Sequence, residues 1–195
     1  MSRKVFDVLA SGVGLILVVV LLIAGGLLTW GSSYASDTVH NQLAMQQVYF
    51  PTAAQLAHPN GTEITTSMKG YLGKYAGQEV LTGAQAEDFA NHFIAVHLSE
   101  MPYGGVYSKV SAASMANPKN AALAAEVQTV FRGTTLRAML IVAYGFSTLG
   151  TVAFWSAIAA FCLAFILLIA SALGIRHARA TEPEKQLVAP KVAVV

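Results

Sequence analysis

From Ala138 to Ile175 the chain runs for 38 residues, AMLIVAYGFSTLGTVAFWSAIAAFCLAFILLIASALGI, without one Asp, Glu, Lys or Arg. A charge-free apolar run of this length is a membrane-spanning signal. As a helix it would reach roughly 57 Å, nearly twice the roughly 30 Å hydrocarbon core of a bilayer, so a single crossing uses only part of it. Two short spans divided at Gly145 and Gly150 do not solve the surplus. The first piece would be too short, and a third crossing would put Arg176 and Arg179 on the side opposite the N-terminal basic residues.

A second apolar stretch, Leu9 to Trp30, follows Arg3, Lys4 and Asp7, and no charge interrupts it before Asp37. Its length suffices for one crossing and exceeds the roughly 7 to 15 residues of a signal-peptide core, so the reading is an uncleaved anchor despite the small-x-small triplet Ser33-Tyr34-Ala35. Composition agrees: 55% of the 195 residues are hydrophobic and 11% are charged, where a soluble domain carries about a quarter charged. The net charge of +2 is spread along the chain, which gives no nucleic-acid footprint. The one cysteine, Cys162, lies inside the long run, so a disulfide within the chain is excluded.

Basic residues orient the spans. Arg3 and Lys4 precede the first, and Arg176 and Arg179 follow the second, which predicts cytoplasmic termini and an exported segment between. Trp30 and Trp155 then fall at the same outer interface, where tryptophan concentrates. The expected fold class is therefore all-α: transmembrane helices at 9–30 and 155–175, an exported helical domain at 31–137, and an apolar helical extension outside the bilayer at 138–154. A short cytoplasmic N-terminus at 1–8 and a disordered cytoplasmic tail at 176–195 complete the chain. Neither span contains a carboxylate, histidine, lysine or arginine, which counts against proton relays and ion-coupled transport. The second offers small residues at i, i+4 spacing, Ser156, Ala160 and Ala164, beside Ala153 and Ala157, as a helix-packing ridge. Ala10 and Gly14 form a similar pair in the first, and Gly25-Gly26 permits a bend.

The segment between reads as short helices. Residues 37–50 continue the first span or begin a new helix that Pro51 ends. Pro59-Asn60-Gly61 marks a turn, and Asn60-Gly61-Thr62 also matches a glycosylation sequon. Met68, Tyr71, Leu72 and Tyr75 recur at helical spacing with Gly77 as the stop. Thr82 to Gln85 matches a capping box ahead of the stripe Ala86, Phe89, Ala90, Phe93 and His97. Met101 to Gly105 breaks the chain before a short helix carrying Val106, Val110 and Ala113. Asn117-Pro118 then reads as cap and first position of a helix carrying Leu123, Val127, Val130 and Phe131, with Gly133 as its end and Thr134 or Thr135 capping the next. These helices are short and rich in Ala and Gly, so they need more apolar surface. Leu140, Ala143, Phe146, Leu149 and Val152 of the extension can supply it within one chain or between chains, and self-association is expected.

Chemical motifs are sparse. His92 and His97 project about 140° apart on a helix and make no chelating face, whereas Asp88 and His92 share a face at i, i+4 as a surface pair. His97 continues the apolar stripe as a packed, hydrogen-bonded histidine. His40 and His58 lie elsewhere, and no catalytic, cofactor-binding or metal-binding residue is assigned. Gly104-Gly105 lacks a phosphate-loop context, and no serine sits in a nucleophile elbow. Tyr103 and Tyr107 flank the glycine pair and can be read as turn packing or as the lip of a ligand site.

The stretches QQVYFP (Gln46 to Pro51), KYAGQEVLTGAQAEDFANHFIAVHL (Lys74 to Leu98) and FRGTTLRAMLIVAYGFSTLG (Phe131 to Gly150) resemble a family of uncharacterised actinobacterial two-span membrane proteins. Some members of that family are described as aromatic ring-opening dioxygenases. Such enzymes need non-haem iron, commonly on two histidines and a carboxylate, and no set here has that spacing, so the resemblance carries no catalytic residue over. It implies an inner-membrane protein of the cell envelope. The expected role is non-enzymatic: a homo-oligomeric scaffold or an accessory component of an envelope complex, with membrane lipid and other membrane subunits as partners. The interface would use Leu140, Phe146, Leu149 and the small-residue ridge, and Trp30, Trp155, Arg176 and Arg179 would anchor the spans. An oligomeric pore with Ser147, Thr148, Thr151 and Ser156 in an outer vestibule is the alternative, and an exported ligand sensor the third.

Overall fold

The computed structural model describes residues 3–60 and 64–180. Helices dominate them. In chain order they are α1 (Arg3–Ala44), α2 (Ala53–Ala57), α3 (Thr66–Leu72), α4 (Gly83–Phe89), α5 (Ala95–Glu100), α6 (Tyr107–Ala116) and α7 (Ala121–Ala180). A π-helical turn, Ala90–Ile94, joins α4 to α5 without a break, and 3-10 turns occupy Gly73–Tyr75 and Pro102–Gly105. At 42 and 60 residues, α1 and α7 are about 63 Å and 90 Å long, each long and apolar enough to cross a membrane with residues to spare. The apolar stretch that ends at Trp30 thus continues beyond it as one helix. The tail does not begin at Arg176, because α7 continues to Ala180; residues 181–195 lie outside the described residues, as do Gly61 and Thr62 of the sequon.

The chain forms two compact units, Met1–Ser32 with Thr151–Val195, and Ser33–Gly150. In the first, α1 and α7 pack in opposite directions along a seam of small residues. A Cβ added to Gly14 would collide with Ser171 Oγ, one added to Gly174 with Ser11 Oγ, and one added to Gly25 would lie 2.7 Å from the Phe161 ring. Gly25 is therefore a site of close packing inside a continuous helix rather than a bend. Ala157, Ala164, Ser171 and Ala178 are all buried at intervals of seven, the period of a left-handed two-helix seam. Ser156 is exposed. Each i, i+4 step drifts about 40° around a helix, so a ridge drawn through Ser156, Ala160 and Ala164 leaves the seam, whereas alternating steps of four and three (Ala153, Ala157, Ala160, Ala164) follow it. Asp7 Oδ2 lies 2.8 Å from His177 Nδ1, and with Ala178 buried this holds the last turns of α7 in helical form.

The second unit has an apolar core built on Val39 and Leu43 of α1, Leu56, Met68 and Leu72 of α2 and α3, and Val80, Ala86 and Phe89 around α4, with Leu140 and Ala143 of α7 packed against it. Phe50 lies edge-on to Phe89 with ring centres 5.4 Å apart. Residues 48–50 and 78–80 pair briefly through Phe50 N–H to Gln78 O and Val80 N–H to Val48 O, both 2.8 Å; no longer β-ladder occurs among the described residues. The capping box at Thr82 forms as expected, with Gln85 N–H donating to Thr82 Oγ1 and Gln85 Oε1 accepting from the Thr82 N–H. Thr52 and Gln55 build a second one on α2. After α4 the π turn inserts an extra residue, so Leu98 takes the buried place that helical spacing gives His97.

Two expected boundaries move. Asn120, not Asn117, caps α7, its Oδ1 accepting from the Leu123 N–H, and Pro118 stays in the turn ahead of it. Gly133 does not end a helix but lies inside α7, where a Cβ would stand 2.8 Å from Leu98 Cδ2. Nor do the neighbouring threonines cap anything. Thr134 Oγ1 donates back to the Val130 and Phe131 carbonyls, and both threonines lie inside the helix. Val110, Leu123 and Val130 form a smaller cluster with Met101, Ala113 and Val127 around it.

Candidate functional site

Within the second unit a cavity of about 440 Å³ runs between α1 and α7, a volume in the range of about 300 to 1,000 Å³ typical of small-molecule sites. One wall is the end of α1, Thr38, Val39, Gln42 and Leu43, continued by Gln46. The other is α7 from Leu136 to Phe146. Val80, Phe89 and Ile94 form the floor. Helical spacing explains both walls. Thr38, Gln42 and Gln46 recur every four residues, as do Val39 and Leu43, so α1 sets a polar strip beside an apolar one. On α7, Leu140 and Ala143 turn inwards, while Leu136, Met139, Val142 and Phe146 are left exposed at the rim. The π turn contributes Ile94 to the floor. None of the described lining residues ionises, and the side chains of Thr38, Gln42 and Gln46 make no hydrogen bond among the described residues. The lining can therefore receive apolar surface and offers uncharged hydrogen-bonding groups along one side.

The titratable groups gather elsewhere in this unit. Lys74 Nζ lies 2.8 Å from Asp88 Oδ2, and His92 Nε2 lies 3.8 Å from Asp88 Oδ1. Tyr71 stacks flat on His92, ring centres 3.5 Å apart. The hydrogen bond to Asp88 raises the Lys74 ammonium above its ordinary 10.5. Arg137 donates to Asn91 Oδ1 at 2.9 Å. His97 is half-buried, its Nδ1 2.7 Å from the Phe93 carbonyl. Among the described residues no three His, Cys, Asp or Glu side chains converge on one point. The arrangement ties the 3-10 turn after α3 to α4 through Lys74 and Asp88, and α3 to the π turn through Tyr71 and His92.

The structure distributes the sequence-predicted residues unevenly. Leu140 packs into the core, Phe146 lies on the cavity rim, and Leu149 is outside the cavity and exposed. Trp30, Trp155, Arg176 and Arg179 are all exposed. Ser147 sits against Gly83 and Thr148 donates to its own helix at Tyr144 O. Tyr107 packs on Phe131, ring centres 5.8 Å apart, and neither it nor Tyr103 reaches the cavity. Sequence reasoning missed the cavity, and only the shared spacing of Thr38, Gln42 and Gln46 hinted at a polar strip there. Comparison with protein families, with curated proteins and with solved structures finds no match for this chain.

Proposed function

We propose that this chain is a non-enzymatic membrane protein of the cell envelope that assembles with copies of itself through the outward face of α7. Both termini are cytoplasmic and residues 31–137 are exported, a sidedness supported by the basic residues beside the two apolar stretches. One observation carries the assembly: Phe146 and Leu149, neighbours at i, i+3 on α7, are 51% and 66% exposed. Adjacent large apolar side chains left uncovered mark an interaction face.

The test is native mass spectrometry of the protein extracted from its own membranes in mild detergent. A defined oligomer is expected, and Leu149→Asp should dissociate it without blocking membrane insertion. A wild-type protein found only as monomer would refute self-assembly. A stoichiometric second protein would replace it with the accessory role.

A further inference from the structure

We infer that the cavity between α1 and α7 is a binding site for one linear acyl chain. The shape supports this. The α7 wall runs from Leu136 to Phe146, about 15 Å of helix, and the α1 wall from Thr38 to Gln46 lines the same space, so the cavity is elongated. An extended hydrocarbon chain suits a site of that form.

The chemistry of the walls supports it as well. Val39, Leu43, Ile94 and Ala143 offer aliphatic contact along the slot, and no described lining residue carries a charge that would select an ionic ligand. Gln42 and Gln46 are exposed at the edge of the cavity, where their amides can donate to and accept from the polar end of the chain. An apolar wall with few uncharged polar groups is what an amphiphile with a neutral linkage requires. Supply is consistent with the sequence. The α1 wall begins eight residues after Trp30 and the α7 wall ends nine residues before Trp155, so both walls are carried by the helices whose apolar stretches are long enough to meet lipid. A free fatty acid and the tail of a phospholipid share this chemistry, and the experiment separates them.

The full-length protein is reconstituted in phosphatidylcholine nanodiscs with palmitic acid bearing a diazirine in its tail, or with phosphatidylcholine bearing the same group. After irradiation, adducts are mapped by peptide mass spectrometry. Labelling within 38–46 and 136–146 is expected, competed by unlabelled palmitate if the free acid is the source and seen only with the labelled phospholipid if the tail is. Ala143→Phe, which fills the slot, should lower that labelling roughly tenfold. Val142→Trp should do the same from the rim, where Val142 is 55% exposed and the core is untouched, so a folding defect in the first variant does not confuse the result. Labelling confined to 9–30 and 155–175 with both probes, or unchanged in Val142→Trp, overturns the proposal. A wild-type protein that labels in the slot as a monomer upholds this site while removing self-assembly, so the two fail separately.

Discussion

Gly133 offers the sharpest test of how the second unit is packed. It lies inside α7, where glycine is about 1 kcal/mol worse than alanine, so Gly133→Ala alone would be expected to stabilise. The added Cβ, however, would stand 2.8 Å from Leu98 Cδ2 and 3.4 Å from its Cγ, and forcing a methyl group into a packed contact costs about 1 to 3 kcal/mol. The net expectation is neutral to about 2 kcal/mol destabilising. Leu98→Ala removes a buried side chain and should cost about 2 to 4 kcal/mol. In that background the obstacle is gone, and Gly133→Ala should now stabilise by about 1 kcal/mol. The two substitutions therefore couple by about 1 to 3 kcal/mol. Hydrogen exchange at the amides of α5 and α6, read by mass spectrometry, reports the local free energy without requiring the first unit to unfold. Additive behaviour, with Gly133→Ala stabilising equally in both backgrounds, would show that Leu98 does not press on Gly133. Destabilisation in both would restore Gly133 as a helix terminator.

Further outcomes follow from neighbouring details. Gly104 and Gly105 both have positive φ, 65° and 64°, but a Cβ on Gly104 meets open space while one on Gly105 collides with the Leu98 carbonyl. Gly104→Ala should cost about 1 to 2 kcal/mol and Gly105→Ala at least about 1 kcal/mol more, again by exchange in α5 and α6; equal costs would refute the backbone contact. Thr82→Ala removes the cap of α4 and should cost about 1 kcal/mol, with faster exchange in its first turn, and no change would remove the capping box from the account. Because Asp88 raises the Lys74 pKa, the stability from this pair is present while Lys74 is protonated and Asp88 is ionised, and it is lost as pH climbs through the higher folded value of Lys74. Asp88→Asn should return the Lys74 Nζ titration, followed by NMR, towards its ordinary value; an unmoved titration would mean that the pair does not form.

What was legible in this sequence was local. The capping box at Thr82 and Gln85 sits within four residues, and a charge-free run declares a long helix without reference to anything else. What was not legible depends on a partner distant in the chain. Gly133 and Gly25 carry the signature of a stop or a bend, and only the side chains opposite them, Leu98 and Phe161, show that each is a point of close approach. The choice of Asn120 over Asn117 as a cap, and the π turn that moves burial from His97 to Leu98, likewise follow from which register packs, not from which residue has the better propensity.

The cavity shows why such sites escape a reading of the chain alone. Its walls come from residues 38–46, 80–94 and 136–146, and each stretch by itself reads as ordinary core. The difference lies in side-chain size along the same two helices. In the first unit the seam of α1 and α7 includes Ser11 and Gly14 against Gly174 and Ser171, and small residues let two helices approach until nothing fits between them. In the second unit the facing residues are Val39 and Leu43 with Leu140 and Ala143, and larger side chains set a wider interaxial distance. A slot is the space such a pair leaves when no third helix fills it. The cavity is then a consequence of residue size at these α1 and α7 positions. Val39→Ala together with Leu140→Ala should change tail labelling at 38–46 and 136–146 while leaving the exchange protection of the small-residue seam as it was, and labelling equal to that of the wild type would show that these side chains do not set the width of the slot.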